Sequence, residues 1–197
     1  MQEVFNVLLD PLPEDYKGYP IDSDFQIGIQ IWQVMEEEDL TQQERMAFCL
    51  SLLFLDKDKD GNPLPVPDIQ TAVEGLQWFL SDWYHDNPNS KDKTKVTDYD
   101  IDQWRIYSAF RTQYGINLNT DKLHFWEFMG LLTTLDECAY TRVIGIRQQK
   151  IRPKMSAEEK KALKEAKAIY SLDALEELTS EEQEAIDEFM KYVKGNK

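Results

Sequence analysis

Apolar positions recur along this chain at helical spacing, and strand-like alternation is scarce. After Ser23 or Asp24 as cap, SDFQIGIQIWQVMEEE sets Phe25, Ile29 and Trp32 near one face. TQQERMAFCLSLLFL opens with a capping box, Thr41 and Glu44, and is apolar almost all round from Met46 to Leu55. That predicts a central helix. PDIQTAVEGLQWFLSDWY starts at an Asp68 cap, with Ile69, Val73, Leu76, Phe79, Leu80 and Trp83 as its buried stripe.

HDNPNSKDKTKV reads as a polar surface loop. DYDIDQWRIYSAFRTQYG then turns Ile101, Trp104, Tyr107, Phe110 and Tyr114 inward, with Gly115 as its C-terminal cap. NTDKLHFWEFMGLLTTL follows, capped by Asn119 or Thr120, and ECAYTRVIGIRQQ makes a sixth helix. Beyond Pro153 the segments become charged. MSAEEKKALKEAKAIY carries a second capping box, Ser156 and Glu159, and TSEEQEAIDEFMKYVKG has a narrow stripe of Ile186, Phe189, Met190 and Val193.

The expected fold is therefore all-α: an irregular bundle of about six helices plus a C-terminal helical hairpin. The expected organisation is an extended acidic arm at 1–22, a helical core domain at 23–153 and a charged hairpin appendage at 154–197. The Pro- and Asp-rich arm is expected to hold at most a short strand at Val4–Leu9.

Composition narrows the function classes. Five Trp, nine Tyr and nine Phe in 197 residues supply a core and argue against disorder. The net charge of −15 argues against nucleic-acid binding, which needs clustered Lys and Arg. Ten Asp/Glu against the single Lys17 place a net −9 on residues 1–40. The start of the chain has no signal-peptide pattern and no run long enough to span a membrane. Cys49 and Cys138 sit apart in apolar segments, as small buried thiols of a reducing compartment. These features predict a soluble intracellular protein.

Candidate chemistry is sparse. DKDKDG, Asp56 to Gly61, opens like a calcium loop. Position 12, where a bidentate carboxylate belongs, is Pro67, and Pro63 and Pro65 stiffen the segment between. A solvated connector is the better reading, with no metal and no cofactor. His85 reads as exposed and His124, at a helix start, as a packing or capping residue; neither belongs to a catalytic motif, and HExxH, GxSxG and Gly-rich phosphate loops are absent from the sequence. Cys49 and His124 would form a nucleophile and base only if the fold joined them, and the apolar setting of Cys49 disfavours a thiolate. A hydrolase is thus not expected. Glu127, within an aromatic helix, is a candidate structural partner for Arg142 or Arg147 in the next helix.

The block DYDIDQWRIYSAFRTQYGINLNTDKLHFWEFMGLLTTLDECAYTRVIGIRQQKI resembles the "gene product fifteen" family of tail-module proteins from siphophages and prophages of Gram-positive bacteria. The resemblance rests on an aromatic helix ending in QYGI-L, then LH-aromatic-W-x-F, a leucine pair and I-x-IR. Asp24–Phe25, the apolar helix at Met46–Leu55 and the Pro-x-Pro connector extend it, so that it covers roughly residues 20–172 and ends at Tyr170 and Leu172. One departure is Phe125-Trp126 where the family carries a tryptophan pair.

The resemblance implies a tail assembly factor of the host bacterial cytoplasm. It would be a non-enzymatic chaperone of the tape-measure protein, with the tail tube protein as a further partner. The alternatives are a structural tail or connector component of the virion and, less favoured, a calcium-responsive adaptor. If such a protein binds a partner through a groove, Trp83, Trp104, Phe125 and Trp126 are candidate lining residues, although each reads more readily as core. The stripe of Ile186, Phe189, Met190 and Val193 is the other candidate surface, and would serve a homo-oligomer as readily.

Overall fold

Side-chain oxygens and one imidazole start most of the helices. Thr41 and Glu44 form the expected capping box of α2 (Gln42–Leu53), and Ser156 and Glu159 that of α7 (Ala157–Ile169). Asp68 accepts the Gln70 and Thr71 amides at the start of α3 (Ile69–Ser81), and Asp24 accepts the Gln26 amide of α1 (Phe25–Glu36). The remaining helices are α4 (Gln103–Ala109), α5 (Phe125–Thr133) and α6 (Ala139–Gln148). A computed structural model describes residues 5–83 and 95–172 of the chain. Among them the only sheet is a hairpin, β1 (Asp15–Tyr16) with β2 (Tyr19–Pro20), so the fold is all-α.

The N-terminal segment is not a simple extended arm. Residues 6–10 form a turn, in the region where a strand was expected, and the hairpin follows it. Lys17 at φ 53° and Gly18 at φ 84° make the hairpin's reversal, which needs left-handed backbone. The C-terminal helix expected at 180–194, with its four stripe residues, lies outside the described residues.

The described chain forms two compact units. One joins residues 5–83 to Ile106–Asp136; the other joins 95–105 to residues 137–172. The charged segment after Pro153, expected as part of an appendage, supplies α7 to the second unit, where it packs on α6.

In the first unit α1 packs on α2 and α5, and α2 on α3. The faces differ from those that large side chains suggest. In α1 the buried positions are Phe25, Gly28 and Ile31; Ile29 and Trp32 are half-buried. In α3 they are Ala72, Gly75, Leu76 and Phe79, whereas Ile69 is 69% exposed and Val73 also faces solvent. The reason is close approach. A Cβ on Gly28 would clash with the Phe125 ring of α5, and one on Gly75 would lie 2.7 Å from Tyr16 and 2.8 Å from Phe54. Glycine lets these helices approach their neighbours there, and that contact sets the rotation of each helix.

Two further expectations are corrected. α2 is not central: it buries Cys49 and Leu53, while Phe48 on its outer side is 51% exposed. Trp104 does not turn inward. The buried side of its segment runs Asp102, Ile106, Ala109 and Phe110, at the helical i, i+4, i+7, i+8 interval. α4 continues into a π-helical turn at Phe110–Tyr114, which ends at Gly115 with φ 73°, the left-handed cap expected there.

Stacked rings fill the middle of the first unit. Phe79 stacks on Phe125 and Phe25 on Phe128, both at 4.9 Å, and Phe110 stacks on Phe128 at 5.1 Å. Two antiparallel backbone bonds lock the starts of α1 and α5 together: Phe25 N–H to Leu123 O and Phe125 N–H to Ser23 O.

Candidate interaction surfaces and their supports

His124, not Asn119 or Thr120, caps α5. Its Nδ1 accepts the Trp126 amide at 3.0 Å and its Nε2 lies 2.9 Å from Pro13 O. The backbone N–H needs a bare Nδ1, and the carbonyl needs a proton on Nε2, so the ring is the neutral Nε2–H tautomer. Burial lowers its pKa below the ordinary imidazole value, in keeping with that tautomer; the Pro13 carbonyl opposes the shift. The side chain thus caps α5 and ties down the N-terminal segment.

That segment forms the first surface. Phe5 meets the edge of Trp126 at 4.9 Å, and Trp78 meets Trp126 at the same distance. A groove of about 550 Å³ lies between the 6–10 turn and these rings, lined by Phe5, Leu9, Asp10, Pro13, Trp78 and Trp126.

The second surface is an apolar groove of about 290 Å³ among α1, α2 and α3. It is lined by Met35, Met46, Cys49 and Leu76, with Gln42 and Arg45 as its polar members. Arg45 donates to Met35 O at 3.1 Å, tying the end of α1 to α2. The Cys49 thiol is buried with Ile31 O at 3.8 Å, and burial pushes its pKa up, away from a reactive thiolate.

The second unit holds a buried ionic centre instead. Asp102 is fully buried. Its Oδ2 accepts Arg147 Nη1 at 2.6 Å and the Asp98 amide at 3.2 Å; its Oδ1 accepts Arg105 Nη1 at 2.9 Å and Arg147 Nη2 at 3.2 Å. Arg147 also donates to Tyr170 O at 2.7 Å and Val96 O at 2.8 Å. One guanidinium therefore fastens the 95–102 segment, α6 and the end of α7. Lys167 adds a bond to Arg147 O at 2.7 Å, and the Thr97 and Tyr140 hydroxyls pair at 2.8 Å. The acid that holds Arg147 is thus Asp102. Glu127 is exposed in the first turn of α5, and Arg142 is exposed on α6. A clue to this centre stood in the sequence: Asp102 three residues before Arg105, and Arg147 one turn after the apolar Val143.

The other predicted lining residues fall into three groups. Phe125 and Trp126 are buried in the core, where Trp126 also forms the inner wall of the first groove and donates its Nε1–H to Phe79 O at 2.7 Å. Trp83 is half-buried against the same core. Trp104, 72% exposed, is the one that faces solvent strongly.

In the DKDKDG connector, Asp58 accepts the Asp60 and Asn62 amides and the Asn62 side-chain amide, at 2.8–2.9 Å. Its carboxylate closes a turn, and the Asn62 bonds hold its pKa below the usual range. Among the described residues no group of three or more His, Cys, Asp or Glu is placed to hold a metal ion, and no helix is long and apolar enough to cross a membrane.

The described residues thus make an all-α fold with two surface grooves, the one among α1, α2 and α3 mainly apolar. The family model for Bacteriophage Gp15 protein matches residues 8–172, and the chain belongs to that family. It is accordingly a phage structural or assembly-related protein. No curated protein and no solved structure matches it.

Proposed function

We propose that this protein is a non-enzymatic tail assembly factor, which chaperones the tape-measure protein in the host cytoplasm while tail tube subunits polymerise. The observation that carries this reading is the apolar groove among α1, α2 and α3. A tape measure is a long helical chain whose apolar stripes are uncovered before assembly. Such stripes dock as amphipathic helices whose i, i+4 side chains enter a groove. Two methionines in the wall suit a client whose side chains vary along its length, because Met repacks at little cost. Met35 and Phe48, 42% and 51% exposed, extend apolar surface on α1 and α2. The net charge of −15 keeps a complex with an apolar client in solution.

The test is co-expression with the tape-measure protein of the same genome. The expected result is a tape measure that becomes soluble and co-elutes with this chain, and loses it with Met35→Glu. Absence of association, with this protein present in purified virions at fixed copy number, would overturn the chaperone reading in favour of a structural component.

A further inference from the structure

A second docking site stands on observations of its own. The turn at residues 6–10 is closed by four hydrogen bonds. The Leu9 and Asp10 amides donate to Asn6 O, both at 2.8 Å. The Leu8 amide donates to Asn6 Oδ1 at 3.0 Å, and the Asn6 amide to Asp10 Oδ2 at 2.8 Å. Such closure fixes the outward direction of the residues between. Those residues are Val7, Leu8 and Leu9, exposed by 64%, 87% and 80%. A single exposed aliphatic is ordinary; three in succession on a braced turn mark an interaction surface. The brace continues below the turn, through Phe5 on Trp126 and His124 on Pro13 O.

Charge defines the ligand. Asp10, Glu14 and Asp15 are exposed in the same segment. Lys17, its one cation, is turned onto Glu74 of α3 at 2.9 Å. The apolar knuckle and the groove beside it therefore sit in a negative field.

The geometry points to a docking groove for a basic amphipathic helix of another protein. Its apolar face lies on Leu8, Leu9 and Trp78, and its Lys and Arg residues meet Asp10, Glu14 and Asp15. A second copy of this chain is disfavoured as occupant, because it would bring the same acidic surface, net −9 over residues 1–40, against this one.

The experiment titrates the full chain with a labelled Leu/Lys amphipathic helical peptide, and separately with its Leu/Glu counterpart, at low and high salt. The expected result is saturable binding of the Leu/Lys peptide alone, weakened by salt and reduced roughly tenfold or more by Leu8→Asp. That substitution adds a negative charge, so nonspecific attraction predicts the opposite, tighter binding. Val66→Asp places the same charge on an exposed aliphatic of the connector and leaves the affinity unchanged. Equal binding of the two peptides, no binding of either, or undiminished binding by Leu8→Asp overturns the proposal. So does a self-associated wild type that Leu8→Asp renders monomeric, which would make a second copy the occupant. Co-elution of Leu8→Asp with the tape measure keeps this result separate from the chaperone reading.

Discussion

The two units solve the same problem with opposite chemistry. The first is fixed by shape: stacked phenylalanines, with helices brought together over glycines. The second buries only Tyr140, Val143 and Leu163 among its described apolar side chains and is fixed by one carboxylate shared between two guanidiniums. Shape tolerates gradual change, since rings can slide and methyl groups can be traded at modest cost. An ionic centre does not, because removing one partner strands a desolvated charge. Loss of single groups should therefore separate the units by size of effect.

Asp102→Asn gives the largest effect. It leaves Arg147 buried without its counter-ion, and a loss of about 3–5 kcal/mol is expected in denaturant unfolding. A loss below about 1 kcal/mol would mean that the backbone carbonyls alone satisfy Arg147. Gly28→Ala comes next, at about 1–3 kcal/mol, because the new methyl occupies the space of the Phe125 ring. A double-mutant cycle with Phe125→Leu sharpens the point. Relief of much of that cost assigns it to the ring, whereas additive losses would place it elsewhere.

His124 contributes less and does so with pH dependence. Replacing it by Ala removes the α5 cap, at about 0.5–2 kcal/mol. Its folded pKa lies below the unfolded one, so between the two values the unfolded chain binds the extra proton. The stabilisation is present above about 6.5, the ordinary imidazole value, and is lost as pH falls from there toward the folded value. His124→Asn keeps a capping oxygen without a titrating ring. Its melting temperature should vary less than that of the wild type between pH 7.5 and 5.5, and equal slopes would remove His124 from the account. The smallest effect belongs to the exposed Lys17–Glu74 pair. Glu74→Gln should leave the melting temperature unchanged within error, as surface pairs do.

Local chemistry was legible in the sequence. Thr41 with Glu44, Asp68, Ser156 with Glu159, and Gly115 each act within a few residues, and all stand where they were expected. The helix faces were harder. A stripe drawn through large apolar residues selects Ile69, Val73 and Trp104, yet the tightest contacts run over Gly28 and Gly75, which have no side chain to count. Asp102 was hidden for a related reason. In DYDID it looks like one more solvated acid, and only the return of Arg147, 45 residues later, makes it a core group. The Val7–Leu9 knuckle looked like part of a strand because an Asx-closed turn and a strand end differ mainly in the Asn6 and Asp10 bonds.

The pairing of Ser23 and Phe25 with Leu123 and Phe125 also has a kinetic side. It closes a loop of about a hundred residues, one of the slower kinds of contact to form. During synthesis the first helix leaves the ribosome long before the fifth exists. Until then Phe25 and Ile31 lack the ring that will cover Gly28, and the α5 residue that holds Pro13 has not been made. The N-terminal third of the molecule therefore reaches its final form only after the ribosome has passed residue 125, and shape and binding surface there mature together.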